Sequence, residues 1–148
     1  MNQELRRIFL VEDNPGDLRL IQEALNLQEI QYDLTHVETA DEAIRAINQY
    51  NAHAGNIPDL ILLDFNIPRG DARDILLAVS KNPALDGIPK AVVTSSVAPR
   101  DRQQALDLGA QCFIYKPPDL DAFLAEVGST IANLLNQNHT RGIACKAQ

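Results

Sequence analysis

Glu12-Asp13, Asp64, Thr94-Ser95-Ser96 and Lys116-Pro117 each follow directly on a short apolar run, and together they hold the residue types that phosphoryl chemistry needs. If folding gathers the three acids about 5 Å apart, each ionised pair repels by roughly 3 kcal/mol at an effective dielectric of about 20. Either a proton retained on one acid or a hard divalent cation with oxygen ligands relieves that repulsion. Mg²⁺ suits the second role, because it accepts one or two carboxylates, a carbonyl and waters and keeps positions open for a phosphoryl oxygen. Lys116 adds a fixed positive charge opposite the metal, and Thr94 with the backbone amides near Asn66 and Ser95 can donate hydrogen bonds to the same oxygens. Such a set receives a phosphoryl group, with Asp64 as nucleophile. Its attack on phosphorus gives an acyl phosphate, a mixed anhydride that water later hydrolyses.

The elements that must position these residues are legible as an alternation. Apolar runs at Ile8–Val11, Leu34–Val37, Leu60–Leu63, Ala91–Val93 and Cys112–Tyr115 read as buried strands. Between them Leu18, Ile21 and Leu25, then Ala40, Ala43, Ile44 and Ile47, then Ile75, Leu76 and Val79 repeat at helical period. Thr39 with Glu42 makes a capping box, Pro99 suits a first helical turn, and Gly109 suits a left-handed stop. This order specifies an α/β fold: a doubly wound, five-stranded parallel sheet in the flavodoxin-like order 2-1-3-4-5 with five helices. Ligands of such sheets bind beyond the carboxyl ends of the strands at the switch point between the first and third, where Glu12, Asp13 and Asp64 fall.

The 148 residues carry 13 basic against 20 acidic side chains, a net charge of −7, with 45% hydrophobic residues. That composition predicts one acidic globular domain and argues against nucleic-acid binding, which gains from cations that release counterions from phosphates. No apolar stretch approaches the roughly 20 residues that span a bilayer, and the N-terminus lacks a signal-peptide run, so a cytoplasmic location is expected. Cys112 and Cys145 fit no metal-ligand spacing and are expected to be reduced thiols; His36, His53 and His139 fit none either. The domain is expected over residues 1–135, with residues 136–148 a flexible tail and no output module.

These residues resemble the receiver domain of two-component response regulators over roughly Arg7 to Ile131: the acid pair Glu12-Asp13, Asp64-Phe65-Asn66-Ile67-Pro68, Thr94 and Lys116-Pro117 fall at that family's spacing and order. The resemblance implies Asp64 as phosphoacceptor, Glu12 and Asp13 as metal-side acids, and the carbonyl of Asn66 as a further ligand of Mg²⁺ or Mn²⁺. Thr94 and Lys116 are implied to contact the phosphoryl group, and the Lys116–Pro117 peptide bond is implied to be cis. The implied donor is a phosphohistidine on a sensor histidine kinase or a histidine phosphotransfer protein. The implied chemistry is self-phosphorylation and autodephosphorylation without turnover of a free substrate. Signalling is then through contacts with a downstream protein, on a surface formed by the fourth helix, fifth strand and fifth helix.

Some positions depart from the family pattern. Asp71-Ala72 stands where many members have Asp-Gly, so glycine's freedom at positive φ is missing there. The aromatic switch position, paired with Thr94, is Phe113 rather than the more frequent Tyr. The long loop from Tyr50 to Pro58 and the Asn-Ile-Pro stretch are more like the small response regulators that accompany bacterial phytochromes. Leu120, Leu124, Val127, Ile131 and Leu134 repeat as a helical seam, and Ile131, Leu134 and Leu135 are expected to extend the last helix into a homodimer contact. Two other readings compete. One is a receiver-like docking module that is never phosphorylated. The other is an aspartate-nucleophile phosphatase, which requires a second Asp two positions after the first; that position is Asn66, which cannot exchange a proton.

Overall fold

The computed structural model describes residues 4–53 and 55–136. Five parallel strands, β1 (Arg6–Val11), β2 (Tyr32–Val37), β3 (Leu60–Leu63), β4 (Lys90–Thr94) and β5 (Cys112–Tyr115), form one sheet in the order β2-β1-β3-β4-β5, as expected. β1 and β2 begin two residues earlier than the apolar runs suggest. β1 takes in Arg6, whose N–H donates to Gln31 O at 2.9 Å, and β2 is an edge strand whose alternating exposure masks it as a polar stretch.

Because successive strand residues point to opposite faces, the sheet separates two cores. Phe9, Val11, Ile61, Leu63, Val92 and Phe113 pack on one face, under α2 (Ala40–Gln49), α3 (Ala72–Lys81) and α4 (Pro99–Asp107). Ile8, Leu10, Leu60, Leu62, Val93 and Ile114 pack on the other, under α1 (Pro15–Leu27) and the last helix. That alternation continues past the strand ends and decides which functional side chains can meet.

Helix starts are set by local chemistry. Asn14 caps α1, its Oδ1 accepting from the amides of Gly16 at 2.8 Å and Asp17 at 3.1 Å, with Pro15 at the first helical position. At α2, Thr39 Oγ1 accepts from Glu42 N at 3.2 Å while Glu42 Oε1 accepts from Glu38 N at 3.1 Å, the expected reciprocal box shifted by one donor. Pro99 opens α4, and Gly109 closes it at φ +105°. Ahead of α3 the positive φ values fall on Arg69 and Gly70, so Ala72 needs no glycine: it is the first, buried, residue of the helix that Asp71 caps. Gly70 has φ +128°, and a Cβ there would lie 2.8 Å from Ala40 Cβ, so both conformation and space require glycine.

The last helix, α5, runs from residue 120 to 136 as an α-helical turn, Leu120–Ala122, a π-helical stretch, Phe123–Val127, and a second α-helical segment, Gly128–Asn136. The three residues expected at a homodimer contact turn inward instead. Ile131, Leu134 and Leu135 are 0%, 1% and 2% exposed and belong to the core beneath α1, while Ser129 and Asn133 face outward. Gly128 lets α5 approach until a Cβ would lie 3.0 Å from Ala24 O, and this closeness accompanies the burial of Val127, Ile131, Leu134 and Leu135 within their own chain, while Leu120 at the helix start stays exposed. Cys112, expected as a reduced thiol, is disulfide-bonded, because spacing along the chain says little about which sulfurs meet in space. Cys145 and the expected tail beyond Asn136 lie outside the described residues.

Candidate functional site

Continuing the alternation of each strand by one step puts Glu12, Asp64 and Lys116 on the α1 side of the sheet's carboxyl edge. Lys116 Nζ donates to Glu12 Oε1 at 2.9 Å and to Asp64 Oδ2 at 2.8 Å. A third carboxylate comes from α1 itself: Asp17 Oδ2 accepts from the same ammonium at 2.8 Å. Asp17 stands in the first turn of the helix, and helical side chains lean back toward the N-terminus, so it overhangs the strand ends. The Glu12, Asp17 and Asp64 oxygens lie within 4.8 Å of one another.

Asp13, expected inside with Glu12, is exposed and outside this group, whereas Glu12 is 1% exposed. Adjacent residues leaving a strand tend to face opposite ways, and of this pair it is Glu12 that packs inside against Lys116 while Asp13 stays exposed beside the strand end. Asp17 was the residue missed, although its position three residues after a capping Asn was a usable signal.

Burial raises the Glu12 carboxyl to about 7; the Lys116 hydrogen bond and charge pull against that rise and the Asp64 charge adds to it. For Lys116, burial opposes the charge, but hydrogen bonds to Asp17, Asp64 and Glu12 outweigh it and raise the ammonium above its usual range. A favoured proton on Glu12 and the Lys116 ammonium thus share the neutralisation, the first of the two routes the acid spacing allows. They do not complete it: the two remaining carboxylates outweigh the ammonium by one negative charge when Glu12 holds its proton, and by two when it gives the proton up. An all-oxygen donor set with residual negative charge fits a hard divalent ion.

The Lys116–Pro117 bond is not cis, since no described peptide bond is. The trans form is favoured even before proline, and here Lys116 N–H extends the sheet by donating to Thr94 O at 2.8 Å while Nζ still reaches all three acids. Asn66 N donates to Asp64 Oδ1 at 3.0 Å, fixing the carboxylate from its other side.

Thr94 and Phe113 belong to the opposite face. Thr94 is fully buried and its Oγ1 accepts from Ser96 N at 3.2 Å. Phe113 meets Phe65 edge-on, centroids 6.0 Å apart at 75°, and the Arg73 guanidinium lies 5.5 Å over the Phe65 ring. Arg73 also binds Asp71 at 2.8 Å and Gln104 on α4, so α3 and α4 are tied above the aromatic pair. Neither Phe65 nor Arg73 was singled out in the sequence, where an apolar residue after Asp64 and a surface arginine carry no chemical signal.

A parallel doubly wound sheet with a lysine-bridged carboxylate cluster at its switch point defines a class of phosphoryl-handling domains. Residues 8–128 match the family described as response regulator receiver domain, and the chain belongs to that family. It is 34% identical over 114 residues to response regulator Rcp1 of Synechocystis, covering 76% of this chain and 78% of Rcp1. The crystal structure of a phosphorylated cyanobacterial phytochrome response regulator, RcpA, superposes with a TM-score of 0.78 at 33% identity, over 95% of this chain and 99% of that one. The Mn²⁺-bound form of Rcp1 superposes with a TM-score of 0.71 at 28% identity, over 96% and 99% of the two chains. Other relatives are longer: the match to a probable cyclic di-GMP phosphodiesterase of Vibrio cholerae, 26% identical over 88% of this chain, spans 29% of that protein. The family's role is phosphorylation on aspartate in two-component signalling, with phosphoryl groups from histidine kinases. No described helix is long and apolar enough to cross a membrane.

Proposed function

We propose that Asp64 accepts a phosphoryl group from the phosphohistidine of a sensor histidine kinase, or of a histidine phosphotransfer protein, and that the chain signals through protein–protein contacts in the cytoplasm. The observation that carries this is the 2.8 Å contact of Lys116 Nζ with Asp64 Oδ2 inside a buried carboxylate cluster. The Asp64 oxygen forms the bond to phosphorus as the P–N bond to imidazole breaks and the ring nitrogen keeps the electron pair. Lys116 then faces the phosphoryl oxygens, while Asn66 N–H holds the remaining carboxylate oxygen in place.

Glu12, Asp13 and Asp64 with the Asn66 carbonyl would hold Mg²⁺ or Mn²⁺, and Asp17 adds a carboxylate to this set. When bound, the ion supplies charge neutralisation to the transferring group. The description of Rcp1 as Mn²⁺-bound supports that choice. Thr94, drawn toward the phosphoryl group, vacates space beside Phe113 and alters the surface of α4, β5 and α5. Moving that switch from 1:99 to 99:1 takes about 5.5 kcal/mol of preference. The likeness to a phytochrome response regulator supports a phytochrome-type kinase as the input.

The test is intact mass after incubation with Mg²⁺ and acetyl phosphate. One labile phosphoryl adduct is expected on the wild type and none on Asp64→Asn. No adduct on the wild type, or one that survives in the variant, overturns the proposal.

A further inference from the structure

Away from the acidic cluster, a cavity of about 390 Å³ opens between the loop before α4 and the exposed end of β5. Val97, Ala98, Pro99, Phe113 and Tyr115 wall it, and Arg102 of α4 is its one charged residue. Val97 is 77% and Tyr115 37% exposed, so this apolar surface is open to solvent. At the low end of the range for ligand cavities, it suits one large side chain rather than a cofactor.

Arg102 gives the cavity its chemistry. Its Nε is buried and has no hydrogen-bond partner. The ion pairs among the described residues use Arg19, Arg73 and Lys116 instead. The nearest acids along α4 are engaged: Asp101 Oδ2 accepts from Ser96 Oγ at 2.7 Å and Asp107 Oδ1 from Gln103 Nε2 at 2.7 Å. A buried donor left unpaired is destabilising in the free protein, and a carboxylate is the group that best completes a guanidinium.

We propose that this cavity docks a segment of a partner protein that presents a large apolar side chain beside a carboxylate. The side chain packs against Val97, Pro99 and Tyr115, and the carboxylate pairs with Arg102. This rests on the reading that α4 and β5 carry the signal, and it specifies the partner's chemistry. Phe113 links the two sites, because its ring is both a wall of this cavity and the partner of Phe65, which follows Asp64.

N-acetyl-phenylalanine joins an aromatic ring to a carboxylate, and its amide lacks the charge. Both are titrated into the full chain, following NMR shifts of Val97, Ala98, Phe113 and Tyr115. The acid should bind roughly tenfold tighter than the amide, as expected for a charge-assisted pair. Arg102→Gln should equalise the two and Arg102→Lys should retain part of the difference. The Tm of Arg102→Gln should be no lower than that of the wild type. Equal binding of acid and amide, shifts confined to other surfaces, or a clear fall in Tm overturns the proposal. Acetyl phosphate uptake, measured by mass on the same samples, separates the two readings. A wild type that takes up no phosphoryl group defeats the phosphoacceptor reading of Asp64 even where the acid preference holds. A chain that is phosphorylated but shows no acid preference defeats the docking proposal alone.

Discussion

Lys116 Nζ and Asp64 Oδ2 stand 2.8 Å apart although 52 residues separate them in the chain. Each is the residue reached by stepping off a buried strand onto the same face of the sheet, so the contact follows from strand alternation and parallel order. Glu12 arrives by the same rule, and Asp17 closes the group from α1.

Removing the ammonium leaves buried carboxylates facing one another. Lys116→Met should therefore cost about 3–5 kcal/mol in metal-free buffer, as for other buried pairs that lose one partner. Mg²⁺ should restore part of it by supplying the missing charge. Thermal unfolding with and without EDTA measures both; a variant as stable as the wild type without metal contradicts the electrostatic account.

Glu12 makes metal-free stability depend on pH in a direction unusual for a carboxylate. Its folded value of about 7 lies above the ordinary 4.5, so the native state binds the proton more tightly than the unfolded chain. The contribution is fully present below 4.5, declines as pH rises, and is gone above about 7. The gap corresponds to roughly 3 kcal/mol. Lys116, raised above its usual range, stays charged throughout this window and adds no slope. Denaturant unfolding at a series of pH values should show the decline in the wild type and a flatter profile in Glu12→Gln.

Asp17→Asn removes one charge from the cluster and keeps the shape of the side chain. The Mg²⁺ dissociation constant should rise roughly tenfold, a fraction of the Coulomb energy of one charge at about 5 Å. Calorimetric titration decides it. Asp13→Asn, altering an exposed acid outside the close group, should change the affinity less.

The sheet order was readable because β1, β3, β4 and β5 are apolar runs, each followed by the polar residue that ends it. Glu12, Asp64 and Lys116 were readable for the same reason. Asp17 was not, because its role depends on how α1 leans over the strand ends, a tertiary fact. The last helix misled for a related reason: an apolar seam shows that a face is buried without showing by what. Ile131 and Leu134 meet α1 and the sheet, and the close approach at Gly128 that permits this is silent in the sequence.

That burial makes Leu134→Ala a stability variant. It should lose about 2–5 kcal/mol, as buried leucines do. Sedimentation at several concentrations should show the mass of the folded variant unchanged from that of the wild type. A fall to a smaller species with stability intact would restore the dimer seam.

The most direct test of the account is chemical trapping of the phosphorylated residue. Borohydride reduces an acyl phosphate to an alcohol, so phosphorylated chain treated in this way should carry homoserine at position 64 when its peptides are sequenced by mass spectrometry. Reduction at Asp13 or Asp17, or phosphate found on a histidine with position 64 unaltered, would contradict it.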